Sequence, residues 1–537
     1  MAIDIRCFPW VRRLAADYAF DFRSLAPFFI GDPSDPDAWK TAVGRARDYP
    51  RQRTELATII EAQQQRRGAP VAALASARQL AEPGTVAVLT GQQAGLFGGP
   101  LFTLLKALTA LKLAERVSRD HHVPAVAVFW IDAEDHDWNE VRSCTVFDES
   151  LTPRTIALPA DTAGSGTPIS SVTLGQPIET ALRELEGCFP ATEFRDGLMA
   201  DLRAAYRPGF GMAEAFGRWL ERALAERGLV VYDASDPAAK PLVASVFARE
   251  LTTPGESVAI AARAGADLVS RGYHAQITPV DDTLAVFRLD GARRPIRHEN
   301  GRFVVGQESY PSSTMIAQAT AEPRMFSPNV LLRPIVQDTL FPTVAYVAGP
   351  NELAYLGQLR SVYEHFGVPM PLMCTRASAT LVDAGALRFL AKHSIAVESL
   401  QPQDEAALNA LLANQIPPAV EASFTNVAEA VDKSMGQLVE ALPGLDQTLG
   451  GAATSTLGKM QRDLQTLHGK MIQAAKRRDE TLRRQFLRTR SLVFPNGRAQ
   501  EREIGFVSFL NQYGPALIQR LDEELVLDPG QHWLVSI

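Results

Sequence analysis

The sequence predicts an α/β protein with a parallel β-sheet core and a long helical arm near the C-terminus. Two continuous apolar runs of strand length, 86–89 and 126–131, flank an amphipathic helical pattern at 101–116, as in a βαβ unit. Beyond about residue 391, apolar residues recur at seven-residue spacing, which is typical of packed or coiled helices. At 537 residues the chain is too long for one compact core.

The remaining core elements follow from the same patterns. After a mostly helical stretch before residue 80, further strands are predicted at 228–233, 343–348 and 368–373, with helices at 212–227 and 352–366. Pro and Gly are scattered through 151–210, and 255–325 has shorter strand-like runs, so both read as insertions. The predicted core is therefore 1–150, 211–254 and 326–390.

A helical arm is predicted for 391–505. Two heptad series lie on either side of a Pro-Gly turn at 443–444, and their apolar positions are Phe424, Val431, Leu438 and Leu445, then Leu457, Leu464 and Met471. This pattern favours a helical hairpin or an antiparallel coiled coil that forms a homodimer. The alternative is an ordinary two-helix packing face without a partner. Residues 506–537 are predicted to return to the core.

Composition narrows the class of protein. Lys and Arg number 54 and Asp and Glu 61, a net charge of −7, so a general nucleic-acid or anionic-membrane partner is not expected. Four cysteines occur without a C-x-x-C pair or zinc-ligand spacing, which indicates reduced thiols. The N-terminal residues lack a signal-peptide pattern, and no apolar run reaches about 18 residues. We therefore expect a cytoplasmic protein.

The loop at 90–100 is the first candidate site. It joins a predicted strand to a predicted helix, where backbone N–H groups and the helix dipole commonly bind a phosphate or carboxylate. Its spacing matches neither Walker A nor G-x-G-x-x-G, so a structural turn is the alternative. The residues expected to bind nucleotide or substrate are Thr90, Gly91, Gln92, Gln93, Gly95 and Gly99, with Lys106 either neutralising a phosphate or lying in water.

A second polar cluster, Glu134 to Asp137, follows the apolar run at 126–131. Ligands of open α/β sheets bind where parallel strands end. Glu134 is expected to bind substrate, and Asp135, His136 and Asp137 are the candidate catalytic residues, as general acid or base. The alternative is a solvated loop in which one carboxylate caps a helix. A metal ligand role for His136 is the weaker interpretation, and no metal site is predicted.

Two further polar groups are expected at the same edge of the sheet. Arg333, Gln337 and Asp338 interrupt an apolar stretch, so they are either paired structurally or face a pocket. A Gly-Pro-Asn-Glu run follows the predicted strand at 343–348. The candidate binding residues in and after that run are Gly349, Asn351, Glu352 and Tyr355.

Several ordered motifs resemble the cysteine-adding enzymes of bacillithiol biosynthesis. They are Thr-Gly-Gln-Gln-Ala-Gly at 90–95 with Gly-Pro-Leu-Phe at 99–102, Phe-Trp-Ile at 129–131 with Glu-Asp-His-Asp at 134–137, Leu-Arg-Pro at 332–334, Phe-Pro-Thr at 341–343 and the stretch 363–371. The resemblance runs from about residue 25 to the C-terminus. Between residues 151 and 325 the resemblance is in the arrangement of the segments more than in residue identity.

This resemblance implies a Rossmann-like, nucleotidyltransferase-type core, two connecting insertions and a C-terminal coiled coil that makes a dimer. It implies a cysteine ligase that joins cysteine to glucosaminyl-malate. By analogy with class I aminoacyl-tRNA synthetases, ATP would activate the cysteine carboxylate as an adenylate. The chain lacks the His-x-Gly-His and Lys-Met-Ser-Lys-Ser signatures of those synthetases, and Thr375 to Ser378 is the nearest candidate for the second. It also lacks the Cys and His spacing by which the analogous mycothiol ligase holds zinc.

Two other functions remain open at this stage. Fold alone does not fix a substrate, so the chain could be another nucleotidyltransferase-type ligase. It could also be a non-catalytic dimeric scaffold whose helical arm is the working part.

Overall fold

The computed structural model describes residues 1–278, 283–413, 417–446, 448–478 and 480–537. The chain forms two compact units. The first comprises 1–381, 499–535 and residue 537, and the second comprises 382–498 and residue 536. The second unit and the predicted arm, 391–505, share residues 391–498.

The elements of the chain alternate between helices and strands after a helical N-terminal stretch. Up to residue 205 they are β1 (Ala2–Asp4), α1 (Arg13–Phe20), α2 (Phe22–Leu25), α3 (Pro36–Asp48), α4 (Arg53–Arg67), α5 (Val71–Gln79), β2 (Val86–Gln92), α6 (Leu101–His121), β3 (Ala125–Ile131), α7 (Trp138–Val141), β4 (Ser143–Phe147), β5 (Pro153–Ala157), α8 (Pro177–Cys188) and α9 (Arg195–Ala205). From there to residue 382 they are α10 (Met212–Ala223), β6 (Val230–Asp233), α11 (Ala244–Thr252), α12 (Glu256–Ser270), β7 (Thr283–Leu289), β8 (Arg293–Glu299), β9 (Arg302–Val305), β10 (Glu308–Pro311), α13 (Ser312–Ala321), β11 (Phe326–Pro328), α14 (Arg333–Leu340), β12 (Thr343–Ala348), α15 (Leu353–Leu356), α16 (Arg360–Phe366), β13 (Leu372–Thr375) and β14 (Ser378–Val382). The last elements are α17 (Ala384–Lys392), α18 (Ala406–Ala413), α19 (Pro418–Ala441), α20 (Leu449–Arg478), α21 (Glu480–Val493), α22 (Gln500–Glu503), α23 (Phe506–Tyr513), α24 (Ala516–Glu524) and β15 (Gln531–Ser536).

A five-stranded parallel sheet forms the centre of the first unit, in the order β13-β12-β2-β3-β6. The apolar run at 86–89 is fully buried, because helices cover both faces of a parallel sheet. The βαβ unit predicted around residues 86–131 is confirmed, with α6 as its helix. The prediction of one helix over 352–366 is wrong, since it divides into α15 and α16 around Gly357.

Two additional layers interrupt this core. In the first, β4 pairs with β5 across the predicted boundary at residue 150, and α8 and α9 follow. In the second, β7 to β10 form an antiparallel sheet that β11 extends as far as Pro328. The antiparallel pairing explains the short strand-like runs of this insertion, because such a sheet needs only one buried face.

The C-terminal segment of the first unit contacts its N-terminus. β15 pairs with β1 in an antiparallel register that places Trp533 opposite Ala2, and β14 lies on the other side of β15. The backbone N–H of Leu534 also donates to the carbonyl of Met1 at 2.8 Å. These contacts place β15, the last strand of the predicted tail 506–537, in a three-stranded sheet with β1 and β14.

A buried polar cluster joins this segment to the end of β13. The guanidinium of Arg376 pairs with Glu501 at 2.6 Å, and Ser378 and the N–H of Ala379 donate to the same carboxylate. Both ring nitrogens of His532 contact hydroxyls at 2.8 Å, those of Ser378 and Thr380. Burial, aided by Arg376, lowers the pKa of His532 to about 4.

This cluster predicts that acid destabilises the first unit. An unfolded chain protonates His532 below about pH 6.5, whereas the folded chain resists protonation until about pH 4. The unfolded state therefore binds more protons in this window, and stability falls as pH falls, by about 3 kcal/mol in full. Urea unfolding from pH 7.5 to 4 should show this loss in the wild type and a shallower slope in His532→Gln. Equal slopes would contradict it, and His122→Gln, at an exposed histidine, is the matched control.

The second unit contains a helical hairpin. α19 and α20 run antiparallel, with the side chain of Gln461 donating to Asp432 at 3.0 Å and the ring of His468 stacked on Phe424 at 4.8 Å. The predicted hairpin is confirmed. Five of the predicted heptad residues are partly buried and His468 joins them, whereas Leu438 keeps 46% of its surface exposed; the five are Phe424, Val431, Leu457, Leu464 and Met471.

Among the described residues, no helix is both long enough and apolar enough to cross a membrane.

Candidate functional site

Polar residues from three neighbouring strands meet at the carboxyl edge of the central sheet. β2 ends at Gln92, and β3 is followed by Asp132, whose N–H donates to the carbonyl of Gln92 at 3.0 Å. β12, on the other side of β2, is followed by Gly349 and Glu352. The structure therefore brings together residues that lie more than 200 positions apart in sequence.

Lys106 connects the end of β2 to the end of β12. Its ammonium is buried and donates to the carbonyl of Gly91 at 2.8 Å and to the side-chain oxygen of Gln92 at 3.3 Å. It also pairs with Glu352 at 2.6 Å. Burial lowers the pKa of Lys106, and Glu352 opposes that shift. Neither role predicted for Lys106 is seen, because it is not in water and its charge is already paired.

Two donors besides Lys106 contact the carboxylate of Glu352. The N–H of Gly349 donates to one carboxylate oxygen at 3.0 Å, and the hydroxyl of Tyr346 contacts the other at 3.4 Å. A side chain at position 349 would place a Cβ 2.8 Å from that carboxylate, so glycine is required for this contact. Asn351, between them in sequence, is exposed.

Asp132 and Arg333 form a second charged pair at this edge. The guanidinium of Arg333 lies 4.0 Å from the carboxylate and donates to the side chains of Gln337 and Tyr355 at 3.0 and 3.2 Å. Burial raises the pKa of Asp132, while Arg333 opposes the shift. Burial also raises the pKa of Tyr355 to about 12. Asp132 was missed in the sequence, although it directly follows β3 at the edge where ligands bind.

Asp135 and His136 lie beside a residue of the second insertion. The side-chain amide of Gln93 donates to one oxygen of Asp135, and the backbone N–H of His136 donates to the other at 2.7 Å. Arg293, the first residue of β8, lies 3.7 Å from Asp135 and 3.4 Å from the Nδ1 atom of His136. The His136 side chain is 43% exposed. Arg293 was also missed, since nothing local marks it as part of this site.

Both insertions fix the loop that carries these residues. In the first insertion, the N–H of Ile169 donates to the carbonyl of Asp135, and that of Ser170 donates to the carbonyl of Ala133, each at 2.8 Å. The N–H of Arg293 donates in turn to the carbonyl of Gly166 at 2.9 Å. The loop after β3 is thus bound on one side to the first insertion, which itself binds the second.

Other predicted site residues are engaged in internal contacts. Asp137 caps α7 by accepting from the N–H of Glu140, as the capping alternative predicted. The buried Glu134 pairs with Lys240 and accepts from Ser327 at 3.0 Å. The remaining ones are also buried: Thr90 donates to the carbonyl of Val347, Gln337 donates to Asp338, and Asp338 accepts from Tyr363.

The glycines of the loop at 90–100 are explained largely by close packing. The N–H of Leu101, the first of α6, donates to the carbonyl of Ile504 at 2.8 Å, so the C-terminal segment covers the helix end that was predicted to face an anion. A Cβ on Gly91 would lie 2.9 Å from the carbonyl oxygen of Trp130. Gly99 adopts a positive φ of 74°, and Gly95 packs on it, where a Cβ would lie 3.0 Å from the Cα. Of the predicted binding residues of this loop, Gln92, Gln93 and Gly95 remain partly exposed.

Two other candidate ligands can be placed. Arg376, the one cation of the predicted synthetase-like segment 375–378, is buried and engaged by Glu501. In the described part of the chain, no three His, Cys, Asp or Glu side chains are arranged to hold a metal ion.

The fold and the site define a Rossmann-like α/β protein with an enzyme-like polar edge beneath two insertions. Residues 2–377 match the family model described as the N-terminal Rossmann-like domain of bacillithiol biosynthesis BshC, and 379–537 match its C-terminal coiled-coil domain. The chain belongs to this family, so the predicted resemblance and fold class are confirmed.

Relatives named putative cysteine ligase BshC align over most of their length. The protein of Salinibacter ruber is 32% identical, covering 98% of this chain and 96% of its own, and that of Koribacter versatilis is 32% identical, covering 96% and 95%. The Chlorobaculum tepidum protein is 34% identical, covering 83% and 82%. A solved chain described as a putative arginyl-tRNA synthetase from Campylobacter jejuni covers 87% of this chain and 98% of its own at 11% identity, but its TM-score of 0.23 is too low to carry an argument.

Proposed function

We propose that this protein is a ligase that forms an amide bond between the carboxyl group of L-cysteine and the amine of glucosaminyl-malate, as the last step of bacillithiol biosynthesis. The observation that carries this proposal is the convergence of Gln92, Asp132, Asp135, His136 and Glu352 at one sheet edge, in a chain of this family. An amide-forming site must hold an ammonium, orient a carboxylate and remove a proton from the attacking amine. The edge offers groups suited to each task.

The carboxylates suit the amine groups of the two substrates. Glu352 and Asp132 lie on opposite sides of the end of β2, and each keeps part of its surface exposed. We assign them to the ammonium groups, since a carboxylate held by fixed donors is a preorganised partner for a cation. Gln92 has no hydrogen-bond partner for its amide nitrogen among the described residues, so that N–H can donate to the cysteine carboxylate.

We assign the proton transfer to His136, with Asp135 as a positioning residue. His136 is exposed at the edge, and its ring touches Arg293 and the carboxylate of Asp135. The amine of glucosaminyl-malate attacks the activated cysteine carbonyl, the new C–N bond forms, and the amine proton moves to the imidazole. The C–O bond to the activated oxygen breaks, and that oxygen leaves with the phosphate group it carries. Imidazole is suited to this role because its pKa is ordinarily near neutrality.

ATP is the proposed source of activation. When bound, ATP would turn one oxygen of the cysteine carboxyl group into part of a good leaving group. Ile504 closes the N-terminal end of α6, and the Gln93 amide is engaged by Asp135. The residue that fits the phosphates is therefore Gln92, whose amide nitrogen has a second N–H beside the one assigned to the cysteine carboxylate. This amide can donate to a phosphate oxygen without the histidines of a synthetase signature. No metal is assigned.

The proposed reaction is tested with purified full-length protein, ATP, L-cysteine and glucosaminyl-malate. Bacillithiol should accumulate, as measured by mass spectrometry after thiol labelling, and omission of ATP should abolish it. Pyrophosphate release with another acceptor, and none with glucosaminyl-malate, would instead indicate a different ligase. Thiol production that survives alanine at both Asp135 and His136 would mean that the base lies elsewhere, whereas no thiol production by the purified wild type would favour a scaffold.

We also propose that the protein is a homodimer that pairs through the hairpin. On the outer faces of α19 and α20, apolar side chains keep between 40% and 50% of their surface exposed, namely Val420, Val427, Leu438, Met460 and Leu467. An isolated hairpin has one seam, and these residues lie outside it. A second copy of the hairpin has the matching apolar face.

If the hairpin pairs in this way, a charge introduced on its outer apolar face should strongly weaken the dimer. Light scattering should give twice the chain mass of 58.5 kDa for the wild type. Leu467→Glu should weaken the dimer at least about 100-fold, because two leucines per dimer lose their burial. Gln465→Glu, which adds the same charge at an exposed position of α20, should remain dimeric. A monomeric wild type would refute the proposal.

A further inference from the structure

Arg293 is a cation at the sheet edge that no carboxylate engages by a direct hydrogen bond. Its side chain is only 9% exposed, and its Nε atom is buried without a hydrogen-bond partner. One terminal nitrogen donates to the carbonyl of Pro328, and the other lies 3.4 Å from the Nδ1 atom of His136. Burying a guanidinium with an unpaired donor is unfavourable in free energy, and an anionic ligand that accepts a hydrogen bond from it would offset this.

The neighbouring cations are better satisfied. Lys106 pairs with Glu352 at 2.6 Å, Lys240 pairs with Glu134, and Arg333 donates to two side chains. The carboxylate nearest Arg293 is Asp135, at 3.7 Å, but both of its oxygens already accept from closer N–H groups. Asp135 therefore does not neutralise Arg293 by a direct hydrogen bond.

The surroundings hold Arg293 in place for a ligand. Its guanidinium lies 4.3 Å from the centre of the Phe287 ring, and its backbone N–H is bound to Gly166 of the first insertion. Gly166 has a positive φ of 73°, which a residue with a side chain rarely adopts. Both insertions thus position this side chain next to the exposed imidazole of His136.

We infer that Arg293 binds a carboxylate of the amine-donating substrate and so selects an anionic acceptor. This inference rests on the proposed function. The malyl part of glucosaminyl-malate carries carboxylates that do not react, and a guanidinium fork matches their geometry. A guanidinium only donates, so the Nδ1 atom of His136 accepts in the free protein. When a substrate carboxylate binds Arg293, the guanidinium no longer donates to Nδ1. The Nδ1 atom can then receive the amine proton.

The test compares Arg293→Gln with the wild type on two acceptors. Arg293→Gln should raise KM for glucosaminyl-malate about 10- to 100-fold and leave KM for cysteine unchanged. Activity on methyl glucosaminide, which lacks the malyl group, should be at least as high in Arg293→Gln as in the wild type, because this acceptor has no carboxylate to draw Arg293 away from the Nδ1 atom of His136. Arg293→Lys should be intermediate, because it keeps the charge and loses the fork. Arg294→Gln is the matched control, since Arg294 is its neighbour on β8 and pairs with Asp290 at the surface.

A binding measurement separates this inference from the proposed reaction. L-malate should give a saturation-transfer NMR signal with the wild type and Arg294→Gln, and none with Arg293→Gln, provided that thermal melts show each variant folded. If Arg293→Gln is unfolded, Arg293→Lys carries the comparison. Absence of a malate signal with the wild type, or an equal rise in KM for both acceptors, overturns the inference. A malate signal that depends on Arg293 without any bacillithiol formation overturns the proposed reaction alone.

Discussion

Replacing His136 with glutamine should lower kcat for bacillithiol formation by about 10²- to 10⁴-fold, the usual contribution of a general base. The variant should fold normally, because the side chain is 43% exposed. KM for cysteine should change little, since the cysteine carboxylate is assigned to Gln92. Steady-state kinetics with thermal melts of the same preparation measure both expectations.

Asp137 is the matched control in the same loop. Its carboxylate caps α7, so Asp137→Ala should cost about 1 kcal/mol of stability and leave kcat nearly unchanged. If Asp137→Ala lowers kcat as strongly as His136→Gln, then the proton-transfer assignment is wrong and the sequence interpretation of Asp137 as catalytic is favoured. If neither variant loses activity, the base lies elsewhere.

The parts of the fold that the sequence predicts best are those with strong local patterns. β2 and β3 are apolar on both faces, so the run of letters alone identifies buried parallel strands. The heptads likewise predict the hairpin of α19 and α20. They do not predict that His468 stacks on Phe424, because a polar residue leaves no mark in a repeat of apolar residues. That contact depends on how the two helices are placed against each other.

The site is predicted only in part, because its pairs are formed over long sequence separations. Lys106 can be seen in the sequence, but its partner Glu352 is 246 positions away by residue number, and no local rule connects them. The closure of α6 depends on Ile504, which comes from the C-terminal segment. Arg293 lies on β8, a strand of the second insertion, and is more than 150 positions away from His136 in the sequence. Such contacts depend on topology, and a single sequence does not report it.

Replacing Arg376 is expected to lower the free energy of unfolding more than any other substitution proposed for this protein. Arg376→Met leaves the Glu501 carboxylate buried without a counter-charge, and breaking such a pair typically costs about 3–5 kcal/mol. The matched control is Arg203→Met, which breaks a pair of the same 2.6 Å length at the surface and should cost less than about 1 kcal/mol. Urea unfolding at pH 7.5, followed by tryptophan fluorescence, compares the two.

The pH dependence of Arg376→Met identifies the cause. In the wild type, Arg376 helps hold the pKa of Glu501 at about 2, against the effect of burial. The wild type therefore keeps this contribution above the unfolded pKa of a glutamate and loses it as pH falls toward 2. Without Arg376, burial alone acts on Glu501 and its pKa rises, so the folded variant accepts a proton as pH falls. The destabilisation by Arg376→Met should then shrink between pH 7.5 and pH 4, and adding Glu501→Gln should recover most of it at pH 7.5. A loss that is independent of pH and unrelieved by Glu501→Gln would mean that packing of the arginine stem, not an unpaired carboxylate, stabilises this cluster.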